Sequence, residues 1–234
     1  MLADGSDRND CSDSAGAAHR GFCGNAFVRR PRPYDRMTEE IATDVYDIAV
    51  AERNGARYRV FLFDGEAPTP VDAGFTDTVD VVVDRLDELG VAPERLLLTH
   101  GDPDHAGGLA GLAERYDIET WVPDGTEVDA EPDRGFGDGD EVGRFTAVHV
   151  PGHTPRHHAL VDGDAGVAVV RDALFGADAR GLPSGYVVLP PAYFSAERAA
   201  EDSVARRVHR EAAVSPRRRC FPGPRSRSRR GTPR

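Results

Sequence analysis

The chain has 234 residues, 40 acidic and 29 basic, for a formal charge of −11. That length suits one domain or at most two. No apolar run approaches the length of a membrane-spanning helix, and Cys11, Cys23 and Cys220 are too few and too peripheral for a disulfide framework or a cysteine metal site.

Residues 1–36 are rich in Gly, Ser, Asp, Arg and Pro without apolar periodicity and are expected to be disordered; Met37 is a candidate true start. This segment lacks the apolar core of a signal peptide, and Arg29-Arg30 runs into Pro-Arg-Pro-Tyr rather than a twin-arginine signal, so a cytoplasmic location is expected. Residues 45–50 and 58–63 are β-rich and flank Asn54-Gly55, which predicts a hairpin. Residues 69–72 add a short strand ending at Asp72. Asp77 reads as the cap of a helix whose apolar face is Val79, Val82, Val83, Leu86 and Leu89, stopped by Gly90. A buried strand is expected at 95–99, a helix at 105–116 and a strand at 118–122. Residues 124–143 read as an acidic, Gly-rich solvated connector with a turn at 137–140. Strands follow at 145–150, 159–162 and 166–170, and a helix capped by Ser195 comes after them.

Every one of the 29 basic residues is arginine, and the charge is uneven. Residues 37–205 hold 34 acidic and 12 basic groups, a net −22, whereas residues 206–234 hold 11 arginines and one glutamate. The acidic body reads either as a surface for high salt, where screening mutes self-repulsion, or as the product of a GC-rich gene. It argues against nucleic acid as a partner of the body. The basic segment reads either as a disordered tail with affinity for anions or as the product of a frameshift. The expected organisation is therefore an N-terminal extension over 1–36, a domain over 37–205 and a disordered tail over 206–234.

The chemistry concentrates after the strand at 95–99. His100, Asp102, Asp104 and His105 fall within six positions, in the sequence Thr-His-Gly-Asp-Pro-Asp-His. Asp, Gly and Pro are ordinary turn formers, but two imidazoles and two carboxylates together form a ligand set for zinc, manganese or iron. The loop follows a predicted strand, as expected if one edge of a sheet carries the site.

The stretch His100-x-Asp102-x-Asp104-His105 resembles the His-x-His-x-Asp-His signature of the metallo-β-lactamase fold superfamily. Val71-Asp72-Ala73-Gly74 is similar to that family's early Asp-x-Gly turn, Gly152-His153-Thr154-Pro155-Arg156-His157 to its Gly-His-Thr-Pro-Gly-His segment, and Asp172-Ala173-Leu174-Phe175-Gly176 to the segment of its bridging aspartate. The four occur in the family's order. The departures are Asp102 for the signature's second histidine, Arg156 for a glycine, Arg171 where a glycine often precedes the bridging aspartate, and no match for the last metal-ligating histidine. His209 is the one downstream histidine.

The resemblance implies an α/β fold, an αβ/βα sandwich of two mixed sheets flanked by helices. It implies a first metal site of His100, Asp102 and His153, and a second of Asp104, His105 and Asp172. One or two Zn2+ ions are expected, or Mn2+ or Fe2+, which the extra carboxylate of Asp102 favours. The implied reaction is hydrolysis of a small ester or thioester by metal-activated water oriented by Asp104, similar to hydroxyacylglutathione hydrolases. A phosphodiesterase or nuclease of the same fold, or a truncated and impaired member, are the alternatives. Asp72 is expected to be a structural turn residue, and one of His157 and His158 to orient a ligand. The expected partner is a small-molecule substrate, with no nucleic acid for the body and no membrane.

Overall fold

The computed structural model describes residues 37–54, 56–175, 189–190, 195–196, 206–208 and 210. The chain divides into two units, residues 1–35 and 36–234, and every described residue belongs to the second. Seven strands lie side by side in chain order: β1 (Thr38–Ala42), β2 (Val45–Arg53), β3 (Ala56–Phe63), β4 (Thr69–Val71), β5 (Arg95–Leu97), β6 (Glu119–Pro123) and β7 (Arg134–Phe136). A second sheet runs β11 (Val167–Val169), β10 (His158–Asp162), β9 (Phe145–His149) and β8 (Glu141–Val142). The first sheet is antiparallel from β1 to β4 and parallel from β4 to β7. The change of direction follows from the connections. Helices α1 (Val79–Leu89) and α3 (Leu109–Tyr116) return the chain over the sheet, as parallel neighbours require.

Strand alternation sorts the apolar residues into layers. Leu96 and Leu98 enter one core with Val82, Leu86, Leu109 and Leu112 of the helices, while Leu97 between them enters the other core, against Phe145 and Leu160 of the second sheet. Val148, Val150, Ala159 and Val161 face away from that interior and pack with Val208. The order of layers is thus helix, sheet, sheet, helix, the sandwich expected from the motifs. One detail differs: among the described residues the second sheet is antiparallel throughout, not mixed. Short connections join its strands, and a hairpin allows no other pairing. Leu97 is fully buried between the sheets, so Leu97→Ala is expected to cost about 2–5 kcal/mol. A denaturant midpoint unchanged from wild type would contradict the layer assignment.

Several elements depart from the sequence reading. The connector at 124–143 contains β7 and β8, anchored by the buried Phe136 and Val142. Asp77 is not a cap. A 3-10 turn at Thr76–Thr78 precedes α1, and Asp77 accepts from Arg53 at 2.6 Å. The helix expected at 105–116 is broken into α2 (Pro103–Ala106) and α3. Residues 206–208 and 210 are helical, Val208 is buried, and Arg207 pairs with Asp138. The fold therefore runs past the boundary expected at residue 205. The helix expected from Ser195 and the candidate His209 lie outside the described residues, except that the Ala196 amide donates to the His153 carbonyl at 3.2 Å. No helix among the described residues is long and apolar enough to cross a membrane.

Candidate metal centre

The ends of both sheets meet at one point. The Thr99 carbonyl, just past β5, accepts from the His158 amide that begins β10 at 2.9 Å. The turn after β4 is tied to the same place, since Asp72 donates its amide to Leu97 at 2.8 Å and Ala73 to the His105 carbonyl at 2.7 Å. The glycine pair that breaks the helix makes this approach possible. A Cβ on Gly108 would lie 2.3 Å from the Ala73 carbonyl oxygen, so no larger residue fits while the turn stays in place.

All six candidate ligands converge here. His100, Asp102 and His153 form one group, and His100, His105 and Asp172 another, each with ligand atoms within 4.8 Å of one another. The His100 and His153 ring centroids are 5.1 Å apart although the residues are far apart in the chain. His153 Nε2 is 3.0 Å from Asp102 Oδ2 and 3.4 Å from Asp172 Oδ2, and His105 Nε2 is 3.6 Å from Asp172 Oδ2. Asp104, expected in the second site, falls outside the two three-residue groups, but its Oδ2 is 3.2 Å from His105 Nε2. The three imidazoles are buried, and the carboxylates of Asp102, Asp104 and Asp172 are partly exposed. The imidazoles form a floor and the carboxylates an open rim.

Asp72 organises this floor from below. It is fully buried at φ 65°, a left-handed conformation that aspartate tolerates better than most residues. Its carboxylate accepts from the Thr99 amide and hydroxyl, each at 2.9 Å, and from His105 Nδ1 at 2.8 Å. Because the Thr99 hydroxyl spends its proton on Asp72, its oxygen accepts from His100 Nδ1, 3.0 Å away. Both imidazoles are thereby held with Nε2 facing the centre, the arrangement that orients metal-binding histidines. Asp72 is thus the structural turn residue expected, and it does more than turn the chain.

The electrostatics follow from these contacts. Burial, reinforced by neighbouring His105, pushes His100 down to about 4, so its ring is neutral near pH 7. For His105, burial and Arg171 work against the charged form, but Asp72, Asp104 and Asp172 prevail and push it up to about 10. Burial also opposes ionisation of Asp72 and Asp172; Arg171 with His105 outweighs it for the first, and the histidines for the second, and both stay well below the usual carboxylate range. Asp102 is held low first by its hydrogen bond to His153.

His100 Nε2 is buried and makes no hydrogen bond. A buried, unprotonated imidazole nitrogen without a partner is costly unless something electron-poor fills the space before it. The surrounding set of imidazole nitrogens and carboxylate oxygens is one that a divalent cation accepts. The donor set therefore fits a metal. His157 and His158 do not act as expected. His157 packs its ring 4.5 Å from that of His100 with neither nitrogen hydrogen-bonded, and His158 Nδ1 donates to the Arg156 carbonyl at 2.8 Å. Sequence reasoning missed Arg171 as a participant. Its Nε is 2.5 Å from Asp72 Oδ2 and 3.2 Å from His105 Nδ1.

Comparison with known proteins agrees with this geometry. The hydroxyacylglutathione hydrolase GloC of Haemophilus influenzae is 30% identical over 118 residues, covering 40% of this chain and 56% of that one. The hydroxyacylglutathione hydrolase of Dechloromonas aromatica is 35% identical over 151 residues, covering 63% of this chain and 52% of that one. The chain thus spans about half the length of these curated relatives. Among solved structures, DIM-1 metallo-beta-lactamase superposes with a TM-score of 0.61 at 14% identity, covering 76% of this chain and 85% of that one. TTHA1623, in a di-iron-bound form, superposes with a TM-score of 0.53 at 23% identity, covering 69% and 85%. At these identities the superpositions show the fold alone. The model of the metallo-beta-lactamase superfamily matches residues 64–214, from before the Asp72 turn to beyond Val208. The strand-end histidines and aspartates of this sandwich are therefore those of a chain that belongs to the metallo-beta-lactamase superfamily.

Proposed function

We propose that the protein is a metal-dependent hydrolase of a small ester or thioester, with zinc as the expected ion. The observation that carries this reading is the buried, unbonded Nε2 of His100, shared by two ligand groups. His100, Asp102 and His153 would hold one ion, and Asp104, His105 and Asp172 a second, since His100 Nε2 has one lone pair and can serve only one of the two. A bound cation supplies Lewis acidity and brings the pKa of a water molecule toward neutrality. Asp104, at the partly exposed rim and 3.2 Å from His105 Nε2, orients that water and takes its proton. The neutral His100 and the ionised Asp102 and Asp172 provide lone pairs without first losing a proton. Substrate enters from the carboxylate rim, because the imidazole side is closed by Asp72 and His157. The matches to hydroxyacylglutathione hydrolases support an acyl thioester as the substrate class. The net charge of −22 over residues 37–205 supports a small molecule rather than nucleic acid, and an environment of high salt.

The test is turnover by the full chain in molar salt, with zinc supplied. A hydroxyacylglutathione, a simple aryl ester and an activated phosphodiester are compared, each with and without chelator. Thioester or ester cleavage that chelator abolishes is expected. Cleavage of the phosphodiester alone, or turnover indifferent to chelator, would overturn the reading.

A further inference from the structure

We propose that Arg171 is a positioning residue that weakens cation binding on the His105 side of the centre, so that occupancy is sequential and the His100–Asp102–His153 group fills first. This rests on the metal-centre reading above. Arg171 sits at φ 43°, in the left-handed region that a long side chain seldom adopts. Three contacts hold it there. Nε pairs with Asp72 Oδ2 at 2.5 Å, Nη2 donates to the Arg59 carbonyl at 2.7 Å, and the guanidinium carbon lies 5.2 Å from the Phe61 ring centre. The side chain is 8% exposed, so its charge is little screened by water.

Two consequences bear on His105 and not on His153. Arg171 Nε and Nη2 lie 3.2 and 3.1 Å from His105 Nδ1. Nδ1 donates to Asp72 at 2.8 Å, but that Asp72 oxygen is shared with Arg171 and supports the imidazole less than an unshared carboxylate would. The fixed positive charge also lies directly behind His105 and cancels part of the attraction that the surrounding carboxylates exert on a cation in front of it. His153 has its Nε2 on Asp102 and Asp172, and no contact to Arg171 is found among its described hydrogen bonds and ion pairs. The asymmetry between the two groups is built into the fold by this one side chain.

The experiment is calorimetric titration of the metal-free full chain with zinc, with metal per chain then measured after gel filtration. Wild type, Arg171→Gly, Arg171→Lys and His153→Ala are compared. In wild type the second ion is expected to bind at least tenfold more weakly than the first. In Arg171→Gly, which also relieves the backbone, the second dissociation constant is expected to tighten at least tenfold while the first changes by less than threefold. Arg171→Lys keeps the charge and is expected to keep the wide separation. A merely structural role would instead weaken both constants together in Arg171→Gly. An unchanged or weaker second constant in Arg171→Gly, or two equal constants in wild type, overturns the proposal while leaving the metal-centre reading intact. If wild type takes up no zinc, or His153→Ala keeps both ions, that underlying reading fails and takes this proposal with it.

Discussion

His100→Ala is expected to leave the protein without the ion of the His100–Asp102–His153 group and to lower kcat/KM for the proposed thioester or ester by at least about a thousandfold, equivalent to about 4 kcal/mol of transition-state stabilisation. His100 Nδ1 is engaged by Thr99, so only Nε2 is left to hold an ion, with Asp102 and His153, whereas His105 and Asp172 belong to the other group. Asp172→Ala is expected to lose the ion on the His105 side instead. Each variant should carry less metal per chain than wild type, measured after gel filtration. His100→Ala also removes Nδ1, which bonds the Thr99 hydroxyl at 3.0 Å, so a circular-dichroism spectrum matching wild type accompanies the metal measurement. A His100→Ala chain that retains the wild-type metal content would show that the convergence of these side chains is not a metal centre.

The centre was legible because most of it is contiguous. His100, Asp102, Asp104 and His105 lie in one loop, and the strand before them is three leucines whose alternation between two cores leaves little freedom in register. His153 and Asp172 were legible only because the segments around them resemble the family's motifs. The glycine pair was visible too, but its purpose was not. Gly107 and Gly108 lie inside the helix expected over 105–116, and the close approach of the Ala73 carbonyl to Gly108 accounts for a glycine where that helix is broken in two. β7 and β8 escaped notice because each buries a single apolar residue, Phe136 or Val142, in an acidic, Gly-rich stretch that gives periodicity nothing to act on. Asp77 illustrates the same limit. An aspartate before an apolar helix is a good cap in isolation, yet Arg53 on β2 offered it a stronger partner. Arg171 lay furthest from reach. It stood out only as a residue in an unexpected place, and its role depends on the fold bringing Asp72, His105 and the Arg59 carbonyl around it.

Asp72→Asn is expected to be the most destabilising single substitution at the floor of the centre, costing about 3–5 kcal/mol in the metal-free protein. The asparagine oxygen can still accept from Thr99. Its NH2 group, however, would face Arg171 Nε and His105 Nδ1, both of which donate to the present carboxylate. Removing the charge therefore leaves an almost fully buried guanidinium without its counter-ion. The sign of the pH dependence follows from the two shifted groups. Asp72 ionises well below its usual range in the fold, so its contribution is present above about pH 4 and is lost progressively as the pH falls below that value, where the unfolded chain's carboxylate takes a proton that the folded one still refuses. His105 is raised to about 10, so its contribution is complete below about pH 6.5 and is lost as the pH rises through 10. The stability gap between wild type and Asp72→Asn should thus be widest between about pH 4 and 6.5 and shrink on both sides. Chelator-treated protein unfolded by denaturant across pH 3 to 10 gives this curve. Adding Arg171→Gly to Asp72→Asn should recover part of the loss, since the orphaned cation goes with it, and the double-mutant cycle reads that coupling directly. A gap that is flat across the range, or a double variant with simply additive losses, would show that the carboxylate is held by the turn alone and does not pair with the two cations packed against it.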